Sequence, residues 1–310
     1  MQRSYKAILI GNGTMGKRHR GRFENSGVAF SLVLDTEATQ WISSNEAEKF
    51  LAETRPSFVV IASPACTHYE YAKFFLTRGI AVFVEKPLAI SGADAFELIH
   101  LAEQMGTTLF VAQSECFNPL FLTFRKHFMA ELRNAVGLAS ENSSPLQKSS
   151  TLPLPNPLSL HLEFCREHGY TKRCRDVGVA LDILVHDLSL FLTMFRYEDV
   201  KVVNYKQSND KAEMVLQLAD GPYAGVTANF IADRNSPRDV RTISVDYGQT
   251  SSYTISLATY TSEGDLAHIP DSLENEHRFF LKLLAGACGD WGKRLARTAA
   301  QTVKLANGDG

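Results

Sequence analysis

Long hydrophobic runs, paired cysteines, internal repeats and an excess of charge of either sign are all missing from this chain of 310 residues. No apolar stretch approaches the roughly 18 residues that would span a bilayer. The opening "MQRSYKAILIGNG" lacks the basic, then apolar, then small-residue order of a secretory signal, so a cytoplasmic protein without a membrane partner is expected. A formal net charge of −2 supplies no field to attract nucleic acid. The cysteines (Cys66, Cys116, Cys165, Cys174, Cys288) are odd in number and never spaced C-x-x-C, which favours reduced thiols over a disulfide framework. Cys165 and Cys174, with His161 and His168 nearby, match no zinc spacing, and no metal is expected. The absence of G-x-S-x-G leaves a serine hydrolase without support.

What is present is 45% apolar residues and enough length for two domains, each with its own core. In the first third, "YKAILIG", "FSLVLD", "SFVVIAS", "IAVFVEKP" and "TTLFVAQ" read as short strands separated by helical stretches. Strands without period-two alternation, each followed by an amphipathic helix, predict a parallel sheet covered on both faces. Ser91, with Asp94 three residues on, predicts a helix start, and Gly79 and Gly106 predict helix stops. The fold class is therefore α/β, with a doubly wound (Rossmann) sheet.

The glycines fall where such a sheet binds a dinucleotide. Gly11-x-Gly13-x-x-Gly16 follows the first strand and opens the first helix, with Thr14 and Met15 in its first turn. Gly11 permits the tight turn, Gly13 lets a pyrophosphate approach, and Gly16 allows close helix–strand packing. Asp35 ends the second strand, where a ribose 2′-hydroxyl is read, so NAD is expected and NADP is the alternative, with Arg18 and Arg20 able to meet a 2′-phosphate. Ser63, Pro64, Glu85, Lys86 and Gln113 also lie at carboxyl ends of predicted strands, the edge at which open α/β sheets bind ligands.

The second half alternates in "AEMVLQLADG", "YAGVTANFIA", "RTISVDYG" and "SSYTISLATY", which predicts antiparallel strands. A Ser/Pro-rich stretch at 140–159 predicts a long loop. Between them stands "VALDILVHDLSLFL" (179–192), an apolar helix interrupted by Asp182 and His186. Residues four apart share one helix face. The pair is either a wet surface stripe or an acid/base site, with Asp187 pointing elsewhere as a structural residue.

The segments "GNGTMGKRH", "VVIASPACTHYEYA", "VEKPLA", "FNP" and "VALDILVHDLSLFL", in this order, resemble the Gfo/Idh/MocA oxidoreductases, and "SLENEHRFFLKLLAG" resembles that family's acidic–apolar helix near the C-terminus. The resemblance implies a Rossmann domain (1–116) and an α+β domain with a large, mostly antiparallel open sheet (117–310). It implies hydride transfer between a nicotinamide cofactor and a sugar, cyclitol or sugar nucleotide, by a homodimer or homotetramer. It carries catalytic roles to Lys86, Asp182 and His186, and places His68 near cofactor or substrate. Asp182 would either touch substrate or orient the imidazole. Relatives acting on sugar nucleotides commonly have a basic residue before "FNP", where this chain has Cys116. A non-catalytic cofactor-binding regulator and a reductase of another carbonyl or imine are the rival readings.

Overall fold

The structure is a computed structural model that describes residues 5–138, 159–171, 176–248, 251–258 and 271–309. Most of the stretch at 140–159, together with Cys174, lies outside the described residues. The chain forms two compact units.

The first unit is built on β1 (Tyr5–Ile10), β2 (Val28–Leu34), β3 (Phe58–Ile61), β4 (Ala81–Glu85) and β5 (Leu109–Ala112). These pair in parallel in the order β2-β1-β3-β4-β5. Every residue of β3, β4 and β5 is buried, as expected of apolar strands covered on both faces. The helices are α1 (Thr14–Asn25), α2 (Ala38–Ile42), α3 (Asn45–Thr54), α4 (His68–Leu76) and α5 (Gly92–Gln104). Ser91 Oγ accepts the Asp94 N–H at 3.1 Å, and Gly79 and Gly106 take φ of +67° and +60° beyond their helices, so these local stop and start signals act as read.

A division at 116/117 had placed the C-terminal residues with the second domain. Instead Pro270–Asp309 belongs to the first unit, which otherwise ends at Ser114 and includes Arg173–Val177. The reason is apolar packing. In α8 (Ser272–Leu284), Phe280 is fully buried, 5.0 Å from Phe58 and 5.2 Å from Phe83, ring centre to ring centre. In α9 (Gly289–Ala306), the backbone runs so close to α5 that a Cβ at Gly92 would stand 3.2 Å from Lys304 Cα.

The second unit holds α6 (Pro119–Ala135), β6 (His161–Glu167), α7 (Val185–Met194), β7 (Val200–Gln207), β8 (Lys211–Leu218), β9 (Thr227–Asp233), β10 (Val240–Asp246) and β11 (Ser252–Ser256). The strands form one sheet in the order β11-β10-β6-β9-β8-β7. All pairings are antiparallel except β6 with β9, which is parallel. Alternate residues of β8 and β9 are buried, and Phe191 of α7 packs on that face, 5.6 Å from Phe230. The opposite face stays half-exposed.

Candidate active site

The turn after β1 is built from close backbone approach. Gly11 has φ +89°, donates its N–H to Leu34 O at 2.9 Å, and would place a Cβ 2.5 Å from the Ala62 backbone. A Cβ on Gly16 would stand 1.8 Å from Gly11 O. Gly13 differs: its φ is −72° and nothing lies within 4 Å of where its Cβ would be. The helix that follows has no side-chain cap and no acid in its first turn. Its first N–H groups at Thr14 and Met15, and the positive end of its dipole, therefore have no side-chain cap beside that open space, the chemistry that receives a phosphate. Asp35 is exposed at the end of β2, the strand whose Leu34 binds Gly11.

At the carboxyl ends of β3 and β4, His68 is buried and both ring nitrogens face backbone carbonyls, Nδ1 toward Pro87 O at 2.7 Å and Nε2 toward Ser63 O at 2.9 Å. The ring ties two loops together, with no nitrogen left for a ligand. Burial lowers its pKa, against the opposing pull of those carbonyls. Ser63 Oγ pairs with Thr67 Oγ1 at 2.7 Å, and Pro64 is exposed. Asp176, which the sequence reading passed over, accepts the Ala65 N–H at 3.0 Å.

Glu85 is buried too. Its Oε1 is 2.6 Å from His19 Nε2 and its Oε2 accepts the Lys86 N–H at 3.1 Å. Burial pushes this carboxyl up, but the bond to His19 and neighbouring positive charge hold it below its ordinary value. Lys86 is half-buried at the end of β4, and its bond to Pro87 is cis. Gln113 is buried past the end of β5, and its Oε1 has no hydrogen-bond partner. A buried acceptor without a donor is costly; a ligand hydroxyl or amide would satisfy it. The open Gly13 concavity, the uncapped α1 and this orphaned oxygen all fit a dinucleotide.

In the second unit, "VALDILVHDLSLFL" is not a wet stripe. Residues 179–185 and 187–192 are buried, and His186 alone is half-exposed. The segment opens in a π turn, Ala180–Leu184, where the Val185 N–H reaches back five residues to Ala180 O. Such wide turns recur at functional sites because they re-aim side chains. Asp182 is ion-paired with Arg234 at 3.4 Å, and Arg234 also contacts Asp210 Oδ1 at 3.2 Å and donates to Asn209 O. Asp187 accepts from Arg166 Nε and Nη2 (2.8 Å at the shortest), while Arg166 Nη1 donates to Glu115 at 3.1 Å. Asp187 is thus part of a buried structural network, as expected. Arg166 and Arg234 gave no sequence signal, since their partners lie 21 and 52 residues away. Cys116, beside the "FNP" run, is buried with its thiol 3.3 Å from Ser189 Oγ.

The family model of the Gfo/Idh/MocA oxidoreductases, described by its NAD-binding Rossmann fold, matches residues 5–113. Over the Rossmann part of the first unit the chain is similar to that family. Among its relatives is the UDP-N-acetylglucosamine 3-dehydrogenase of Acidithiobacillus ferrooxidans, 23% identical over 72% of this chain and 68% of the relative. A solved structure of that enzyme superposes with a TM-score of 0.65 and 21% identity over 98% of both chains. The WlbA dehydrogenase from Bordetella pertussis, solved with NADH and UDP-GlcNAcA, has a TM-score of 0.70 and 14% identity over 98% of this chain and 95% of its own. The inositol 2-dehydrogenase of Acidothermus cellulolyticus is 26% identical over 70% of this chain and 62% of its length.

Proposed function

We propose that this chain transfers a hydride between NAD and a secondary alcohol or ketone of a sugar, cyclitol or sugar nucleotide, as a Gfo/Idh/MocA-type oxidoreductase. The observation that carries the reading is the phosphate cradle after β1: an uncapped, acid-free helix start over the open side of Gly13, with Asp35 on the neighbouring strand. Asp35 would accept from a ribose 2′-hydroxyl and repel a 2′-phosphate, which favours NAD over NADP. The substrate class draws support from the named activities of the UDP-N-acetylglucosamine and inositol dehydrogenases.

Bound NAD supplies the hydride acceptor. As the alcohol carbon loses its hydride, the hydroxyl must lose its proton at nearly the same time. His186 takes that proton, the general-base role that histidine most often fills in enzymes. Lys86 donates a charge-assisted hydrogen bond to the substrate oxygen and stabilises the developing alkoxide. Asp182, held by Arg234, orients the reacting groups within the second unit. We also place the protein in the cytoplasm as a homo-oligomer. The free thiols Cys66, Cys165 and Cys288 support the first, and the half-exposed face of the six-stranded sheet supports the second.

A panel of sugars, cyclitols and sugar nucleotides, with NAD or NADH and scanned for a change in nicotinamide absorbance, tests the proposal. Turnover of at least one member is expected. Tight cofactor binding with no turnover across the panel would refute the dehydrogenase and leave a cofactor-binding regulator.

A further inference from the structure

Under the sheet of the first unit lies a polar cluster that the proposed hydride transfer does not use. His19 of α1 and His277 and Glu276 of α8 are at most 1% exposed, inside a shell of Phe23, Phe83 and Phe280. His19 Nδ1 and His277 Nε2 are 3.0 Å apart. Their other nitrogens are already committed. His19 Nε2 faces the Glu85 carboxylate at 2.6 Å, and His277 Nδ1 donates to the Leu273 carbonyl. A carbonyl only accepts, so the His277 proton sits on Nδ1 and Nε2 is bare. In the neutral tautomer of His19 that donates Nε2–H to Glu85, Nδ1 is bare. In that tautomer two lone pairs face each other at hydrogen-bond distance, the arrangement a cation would satisfy. Beside them, neither oxygen of Glu276 has a hydrogen-bond partner.

We propose that His19, His277 and Glu276 bind a divalent transition-metal ion, Zn2+ by donor type, as a structural clasp between α1 and α8. Imidazole nitrogens with one carboxylate are suitable zinc donors. The three donor atoms all lie within 4.8 Å of one another. A tetrahedral site with bonds of about 2.0–2.1 Å has donor separations of about 3.3 Å. The two nitrogens are near that already, and Glu276 must close by at most about 1.5 Å, which a side-chain rotation supplies. One oxygen of Glu276 supplies the third donor, and a water takes the fourth position. The surroundings match a metal's outer shell, in which each ligating imidazole donates its second N–H to a carboxylate or backbone carbonyl. Here Glu85 and Leu273 play those parts.

Charge points the same way. Glu276 is fully buried and neither of its oxygens accepts a hydrogen bond among the described residues. A divalent ion with the Glu276 and Glu85 carboxylates sums to zero, the condition under which charge can stay buried.

The test uses untagged full-length protein from zinc-supplemented medium, desalted without chelator, with metal counted by plasma mass spectrometry. About one zinc per chain is expected, falling at least about fivefold in His277→Leu and in Glu276→Gln. Co2+ added to chelator-stripped parent should give the absorption bands of four-coordinate cobalt, and His277→Leu should give none. Less than about one-tenth of an ion per chain in the parent, or unchanged metal in His277→Leu, would overturn the site. Should both variants fail to fold, the parent decides alone: cobalt bands with a Tm lowered by about 5 °C on chelation support the clasp, and no bands overturn it.

Discussion

Replacing Gly13 by valine separates folding from cofactor binding. Gly13 has φ −72° and ψ −162°, a conformation open to any L-residue, and its Cβ would meet nothing within 4 Å. The fold should therefore lose only the helix-start preference of glycine over a β-branched residue, about 1 kcal/mol, or about 2–4 °C in Tm. The dinucleotide loses much more, because the new side chain fills the space through which a pyrophosphate reaches the first N–H groups of α1. Hydrogen bonds to a charged group contribute about 1.5–3 kcal/mol each. Losing two costs about 3–6 kcal/mol, which raises Kd by about 10²–10⁴. Calorimetric titration with NAD, alongside thermal unfolding followed by circular dichroism, reads both quantities. Gly16→Ala is the control of opposite sense: its Cβ would stand 1.8 Å from Gly11 O, so the fold itself should weaken, by about 1–3 kcal/mol or more. If Gly13→Val kept a Kd within about threefold of the parent, the loop would not be the phosphate cradle and the argument from helix-start geometry would fail.

His186→Ala should lower turnover by about 10²–10⁴ with NAD affinity unchanged, and alkaline pH should recover part of it; near-parental turnover would remove the imidazole from the chemistry. Lys86→Ala should also lower turnover, but steady-state rates across pH should show no alkaline recovery, because the lost contribution is charge stabilisation. Arg166→Met should cost about 3–5 kcal/mol in denaturant unfolding, since it removes the cation bound to buried Asp187 and leaves Glu115 with Arg241 alone. Burial raises the Glu115 carboxyl, but Arg166 and Arg241 overcome this and leave its folded pKa below the ordinary value. Its stabilising contribution is therefore complete above the unfolded pKa of about 4.3 and is lost as pH falls through the lower folded value. Tm measured from neutral to acid pH should show that loss in the parent and a shallower acid slope in Glu115→Gln.

How much of the site could be read in advance depends on the distance over which each feature is specified. The glycine turn was legible because Gly11, Gly13 and Gly16 act on backbone geometry within one turn, and the central strands β3, β4 and β5 because burial on both faces leaves a largely apolar run in each. His68 is a different case: the resemblance put it near cofactor or substrate, whereas its two carbonyl contacts, to Ser63 and to Pro87 19 residues away, depend on how two loops meet. β6 alternates in "HLEFCRE" yet was not among the expected strands.

By itself the sequence determined the order of elements in the nucleotide unit, the helix starts and stops at Ser91, Gly79 and Gly106, and the alternation of the later strands. Each follows from local sterics and from the period at which side chains meet a covered face. Only the tertiary structure decided that β6 and β9 run parallel, that the helix bearing Asp182 and His186 opens in a π turn, and that α8 returns to the first unit. It also set His277 against His19, 258 residues earlier. Pairings at that range leave no period in the chain, because the partner is chosen by which apolar surfaces bury each other, and polar groups are then carried to wherever those surfaces meet.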